Sequence, residues 1–594
     1  MIEPRVYRAA FIPALLAVLL TMFSFQSRPR PLPQGLAADV LFDGAQAADL
    51  AARIATEQPD RRAGRRGDAA TARLVAESFA DRGFVVDEPQ RFTHAGRRLV
   101  NVIARRAGAS RRQVAVVAAR DAATVPDAPG SASATAALLE LARVFQGRPS
   151  SKTLVLASID GSNLGQVGAS ELVDELGDSS LVDAVLVMSD LGAGTSRGPL
   201  LQTWSNSSRR TSIGLQRTAA DSIRQELERS AGSSGAVGQL ARLSFPVGIG
   251  AQGVFVAEGY DAVRISGSGE LPAPGDGPVE EIDEEQLGAL GRATLRTVTA
   301  VDQGRRPPEH GPKSYVLAFN QVMPGWVLAL LAGSLLLPAL VASVDAFARA
   351  RRRRIDVLPW LRWVAGWTAP FLAGLAMAEV LALAGATPAP PPAPVPPDVL
   401  PLDGPALGVL GGVAVTMVLA LLLARWLAAR PDPSLTTPDQ PGAGVAVALA
   451  VSAGSLLLWL LNPYAGLLAV PAAHLWLLAC LLRPLPRRRV RLILIGLGLL
   501  PLLFVAVYYL FALKLDPLSG AWYLLMLVTG HSVALPISLL ACLLMGAACG
   551  AFEIAWRAPG EESSPPSGER PSVYGPGAYA GPGSLGGTRS ALGR

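Results

Sequence analysis

Apolar positions along the 594-residue chain follow two rhythms. Between residues 36 and 305 they come in short runs. LVNVIARR, RQVAVVAA, KTLVLASI and DAVLVMSD are rich in β-branched residues and bounded by polar ones, as buried strands are. VAESFADRGFVV reads as a helix then a strand, and ASATAALLELARVF as a helix with one apolar face. Strands alternating with helices predict an α/β domain over 36–305, a mixed sheet flanked by helices.

Further on the runs lengthen. They fall at 324–346, 361–386, 405–428, 443–461, 464–482, 490–513 and 521–548. About 20 apolar residues suffice to cross a bilayer, so each can span one. Only Asn462 and Pro463 separate the fourth run from the fifth, which leaves a tight turn or a re-entrant break. Another run, 9–24, follows Arg5 and Arg8 and has no small-residue cleavage site directly behind it. It reads as an N-terminal anchor within 1–35. The count is eight spans: the anchor and an all-α membrane domain over 324–550. Residues 306–323 read as a linker. The Gly-, Pro- and Ser-rich 551–594 read as a disordered cytoplasmic tail.

Composition and charge sharpen this division. Half the residues are apolar and 17% are charged, against about 25% in soluble domains, which excludes a wholly soluble or disordered chain. Lysine occurs only at Lys152, Lys313 and Lys514; the Ala, Gly, Pro and Arg richness suggests a GC-rich bacterial genome. Arginines cluster at Arg349 and Arg351 to Arg354, at Arg425 and Arg430, and at Arg483 and Arg487 to Arg489. The loops 387–404 and 514–520 have none. Arginine-rich loops stay in the cytoplasm. The expected topology has both termini inside, residues 25–323 extracytoplasmic, and the chain in the plasma membrane of a bacterial cell. Basic residues do not interleave with aromatics, so nucleic acid is not an expected partner.

Reactive side chains are few. Cys480, Cys542 and Cys549 all lie in or beside apolar runs, so the polar part can form neither a disulfide framework nor a CxxC zinc site. His94 and His310 lie outside the membrane runs, and His474 and His531 within them. Ser133, Ser162, Ser170 and Ser266 to Ser268 have no histidine base at a recognisable spacing, which argues against a Ser-His triad. Glu379, His474 and His531 are the polar groups that stand out in the spans: Glu379 lies toward the outer end of its span, within reach of headgroups, and the histidines read as helix-to-helix hydrogen bonds or as a proton or substrate path.

Six stretches in order give a resemblance. They are DAATARLVAESFADRGFVV with NVIAR, then VAVVAARDAATV, PGSASATAALLELARVF, LVLASIDGSNLGQVGAS and LVMSDLGAG. Together residues 68–300 resemble the co-catalytic two-zinc aminopeptidases, metallopeptidase family 28. The resemblance implies an aminopeptidase fold and, in an active member, two zinc ions sharing a bridging Asp and an attacking hydroxide.

Carried over by position, the family's first His falls on Ala119 and its orienting Asp on Asp121. The bridging Asp falls on Gly130 or Ser131, and the Glu pair on Ser162 and Asn163. A ligand Asp is kept as Asp190. The last His falls on Pro272, followed by Asp276. The metal site is therefore degenerate: the expected cofactor is none, with zinc as the alternative. Asp121, Asp160, Asp190 and Asp276 could also hold Ca²⁺ or Mg²⁺ weakly, or be relics satisfied by N–H groups at strand ends. The plan of one anchor, an outer aminopeptidase-like domain and seven further spans is similar in outline to the attachment subunit of eukaryotic GPI transamidase.

Three functions stay open. The first is a membrane-anchored pseudo-peptidase, not a working enzyme, whose domain binds a peptide, protein or lipid-linked ligand and scaffolds a membrane complex with protein partners. The second is an active zinc aminopeptidase with rearranged ligands. The third is a transporter or lipid-handling protein with an outer regulatory domain.

Overall fold

The computed structural model describes residues 3–34, 41–194, 198, 200–428, 441–482 and 486–557. Arg430, Arg483, the start of the α/β domain at 36–40 and residues 558–594 of the expected tail lie outside them.

The strands run in chain order as β1 Gln26–Ser27, β2 Val85–Val86, β3 Gln90–His94, β4 Arg97–Arg106, β5 Ser110–Ala119, β6 Lys152–Ile159, β7 Val182–Ser189, β8 Leu201–Gln202, β9 Ala262–Ser266, β10 Tyr315–Ala318 and β11 Gln321–Pro324. Among the described residues the main sheet has eight strands, in the order β2-β4-β6-β5-β7-β9-β8 with β3 paired to β4. The pairs β5–β6, β5–β7 and β7–β9 are parallel, while β4–β6 and β8–β9 are antiparallel. This is the mixed sheet that the short apolar runs predict.

Alternation along β5 shows why those runs are continuous. Val114, Val116 and Ala118 face a cluster that includes helices 44–57, 66–81, 133–145 and 284–303. Ala115 and Val117 face the opposite cluster with helices 167–176 and 251–257. Side chains on successive strand residues point to opposite faces, so a strand covered on both faces must be apolar at every position.

Among the described residues, eight helices are long and apolar enough to cross a membrane: Pro4–Phe23, Gly325–Arg352, Leu358–Leu383, Gly404–Trp426, Gly442–Leu461, Pro463–Leu481, Arg488–Ala512 and Leu535–Trp556. The expected span 521–548 is corrected. It divides into a short helix, Pro517–Thr529, and the longer one beginning at Leu535. His531 lies in the turn between them with φ 57°, not inside a span. The junction at 462 is a tight turn. The Asn462 side chain accepts from the Tyr464 and Ala465 N–H groups at 3.0 and 3.3 Å, capping the next helix.

The α/β domain sits on one end of the helix bundle. Asn462 Nδ2 donates to the Leu243 and Ser244 carbonyls at 3.0 and 3.2 Å. Tyr464 donates to Ser314 Oγ at 2.6 Å, and Tyr509 to the Phe245 carbonyl at 2.5 Å. Arg349, Arg351 to Arg354, Arg425 and Arg487 to Arg489 all belong to the opposite helix ends. The segment expected to be a plain linker, 306–323, carries β10 and most of β11. These form a three-stranded sheet with β1 where the first helix leaves the bundle and the second enters it. One face of that sheet packs Tyr315 and Val322 on Ile213 of the domain. The other packs Val316 and Met323 with Leu328 and Tyr464 of the bundle.

Candidate functional site

Parallel β5, β6, β7 and β9 all end on the same edge, so the loops that follow them converge. A cleft of about 90 Å³ opens there, room for a few waters. Seven of the nine positions expected from the sequence lie along it: Ala119, Asp121, Ser131, Ser162, Asn163, Asp190 and Pro272. Gly130 stands in the turn behind Ser131. Asp276 is corrected: its side chain is exposed and outside the cleft, and it contributes only its carbonyl, which accepts from the Asp127 N–H at 2.9 Å.

The carboxylates are held by the chain itself. Asp121 accepts from the Ser162 N–H at 3.0 Å and the Asn163 N–H at 3.2 Å. Burial pushes its pKa up to about 6, reinforced by nearby Asp160 and opposed by those two N–H groups. Asp190, at φ 49°, accepts from Ser268 Oγ at 3.0 Å. Burial raises it too, against the pull of Arg264.

Beneath Asp121, Arg120 is fully buried. Its Nε lies 2.9 Å from Asp68 Oδ1 and its Nη2 3.3 Å from Asp160 Oδ2. Asp160 also accepts from the Val100 and Gly161 N–H groups at 3.2 and 2.7 Å. Burial, then Asp68, pushes Asp160 up to about 7. Asp160 thus belongs to the floor of the site rather than its surface.

Asp127 is the residue that the sequence reading missed. It lines the cleft in the left-handed region at φ 54°. Its Oδ2 accepts from the Ser131 N–H at 3.0 Å and from Ser131 Oγ at 2.6 Å. Burial raises its pKa to about 7; Asp190 adds to this, while Ser131 and Arg61 oppose it. Arg61 backs the turn, donating to the Pro126 carbonyl at 2.8 Å and to Ser131 Oγ at 3.2 Å. A Cβ on Gly130 would lie 1.9 Å from Asp127 Oδ1. The Asp127 carboxylate therefore occupies the space that a side chain at position 130 would enter, from three residues upstream. The only available signal was an Asp just ahead of a Pro-Gly turn.

The histidines stand elsewhere. His94 ends β3, paired with Arg97. His310 lies 3.2 Å from Asp261, which precedes β9 at the edge opposite the cleft. In the bundle, His474 Nδ1 lies 2.7 Å from the Tyr7 hydroxyl and Nε2 2.7 Å from the Leu335 carbonyl, so it bridges three helices. Glu379 lies near the end of helix 358–383 that faces the α/β domain.

The donor set does not suit zinc, which takes convergent His, Cys or carboxylate electron pairs. Ala119 and Pro272 offer none. Ser162 and Asn163 turn N–H donors toward Asp121. Among the described residues no three His, Cys, Asp or Glu surround one point where an ion could sit. The site can hold protons on raised carboxyls and can meet a cationic or hydrogen-bonding ligand. Its Ser131 and Ser268 hydroxyls donate to the raised carboxyls of Asp127 and Asp190.

No family model matches the chain, and no curated protein matches it in sequence. Solved structures similar to it include LapA from Legionella pneumophila, with a TM-score of 0.37 and 13% identity over 45% of this chain and 75% of that one. The zinc aminopeptidase BSAP from Bacillus subtilis has a TM-score of 0.36 and 14% identity over 45% of this chain and 95% of that one. The glutaminyl cyclase of Porphyromonas gingivalis has a TM-score of 0.31 and 16% identity over 43% and 98%.

Proposed function

We propose that the chain is a multi-pass membrane protein whose peptidase-like domain binds a ligand without cleaving it and scaffolds a complex at the outer membrane face. The observation that carries this reading is the state of the cleft. Its carboxylates Asp121, Asp127 and Asp190 are each bonded to the chain's own N–H or Ser hydroxyl groups. Ala119, Ser162, Asn163 and Pro272 stand where the resemblance puts metal donors and base. Binding clefts at the carboxyl ends of parallel strands need no catalytic group to persist.

The outer placement is supported by the arginines. They collect at the helix ends away from the domain, and such ends stay in the cytoplasm. The test is hydrolysis of aminoacyl-nitroanilides by the detergent-solubilised full chain, with and without added zinc. No turnover in either condition is the expected result. Turnover abolished by a chelator overturns the proposal.

A further inference from the structure

Resting on the reading of the cleft as a binding site, we infer that it recognises a proline-rich segment and that its resident occupant is residues 391–396 of this chain. These belong to the connection TPAPPPAPVPPDVLPLDG between helices 358–383 and 404–426. The segment crosses the mouth of the cleft from wall to wall.

On one wall Pro392 fills the space above Gly165, just past Ser162 and Asn163. A Cβ on Gly165 would fall 2.3 Å from the Pro392 ring. Ala393, 6% exposed, joins the apolar cluster of Ala169, Leu172 and Val254. On the other wall Val395 is completely buried in the cluster that holds Val247, Ile249 and Leu271. Pro396 itself lines the cleft beside Asp121, Asp127 and Asp190.

The chemistry suits this occupant. Prolines carry no N–H, so the segment leaves the cleft carboxylates with their serine and backbone partners. Its own carbonyls are met from the membrane side: Val395 accepts from the Tyr523 hydroxyl at 2.8 Å and Pro392 from Ser532 Oγ at 3.4 Å. Pro396, at φ −54° and ψ 139°, has the extended proline-helix geometry. Proline fixes φ at residues 391, 392, 394 and 396, so the segment has little backbone freedom to lose on docking. Its tether presents it at an effective concentration of order millimolar, so an outside peptide competes poorly until the segment leaves. Both of its ends are held by spanning helices, so a shift of those helices withdraws it and frees the cleft for a proline-rich partner.

The test uses the full chain with 388–397 replaced by a Gly/Ser stretch of equal length, and the labelled peptide TPAPPPAPVPPD followed by anisotropy. The expected result is saturable binding to the replaced protein, and binding at least about tenfold weaker to the unmodified one. A folded replaced protein that does not bind, equal binding by both proteins, or equal binding of a Gly/Ser control peptide overturns the inference. Should the replaced protein misfold, Pro392→Ala with Pro396→Ala decides. Combined with Ser162→Cys, that pair should raise the maleimide labelling rate about tenfold, and an unchanged rate is contrary.

The two readings fail separately. Hydrolysis of aminoacyl-nitroanilides by the replaced protein refutes the non-catalytic reading and leaves the docking intact. Neither hydrolysis nor peptide binding refutes the docking alone.

Discussion

The carboxylate of Asp127 occupies the space in which a side chain on Gly130 would begin, with Oδ1 1.9 Å from the position of a Cβ there. The two positions are mutually exclusive sources of one group. Gly130→Ala should therefore displace Asp127, break its bonds to Ser131 and destabilise the protein by about 1–3 kcal/mol. Adding Asp127→Ala should recover much of that loss, because the collision is gone. Thermal unfolding of the two variants checks this. Additive losses would contradict it.

Arg120 neutralises Asp68 and Asp160 below the cleft, and all three are buried. Arg120→Leu leaves two uncompensated carboxyl groups in an apolar floor and should cost about 3–5 kcal/mol. Adding Asp160→Asn should return part of this. Denaturant titration of the single and double variants measures both, and an Arg120→Leu variant as stable as the parent rules the account out.

Acid should strengthen the domain. Asp121 is raised to about 6, and Asp127 and Asp160 to about 7, from an ordinary value of 3.8. A carboxyl whose folded value is raised binds its proton more tightly when folded. Its contribution is complete below about pH 4 and is lost as pH climbs through 6 to 7. Unfolding followed between pH 4.5 and 8 should show stability falling with pH across that window. Asp127→Asn should flatten the fall, and an unchanged profile in that variant speaks against the assignment.

The domain is fastened to the bundle through Arg242. Its guanidinium donates to Glu270 Oε1 at 2.7 Å and to the Tyr508 hydroxyl at 2.9 Å, and lies 4.8 Å from the Trp204 ring. The Glu270 charge holds Arg242 well above its usual range, against the burial that lowers it. Arg242→Met strands Glu270 and should cost about 3–5 kcal/mol. Its signature is faster proteolytic cutting between 304 and 324, where the domain joins the bundle. Unchanged cutting would show that the joint lies elsewhere.

The sheet was legible because β5, β6 and β7 are covered on both faces and so read as unbroken apolar runs. The cleft residues on strand ends, Asp121, Ser162 and Asp190, followed from the resemblance carried over by position. Asp127 did not. A motif register counts residues, whereas a left-handed backbone at position 127 folds that carboxylate back over the turn to the place of residue 130. Asp276 misled for the converse reason, since it keeps its place in the pattern but turns its side chain to solvent. Residues 521–548 read as one span because Gly530 to Ala534 interrupt the helix without lowering the hydrophobicity enough to show. The 387–404 connection showed only its lack of arginine; the domain residues that help bury Ala393 and Val395, such as Leu172 and Ile249, lie more than a hundred positions away.

Zinc content separates a binding cleft from a hydrolytic one. The full-length protein, equilibrated with zinc and freed of excess, should retain none in stoichiometric amount, because Ala119, Ser162, Asn163 and Pro272 supply no donor set. One or two zinc ions held per chain, and lost on Asp127→Ala or Asp190→Ala, would contradict the account and return the cleft to hydrolytic chemistry.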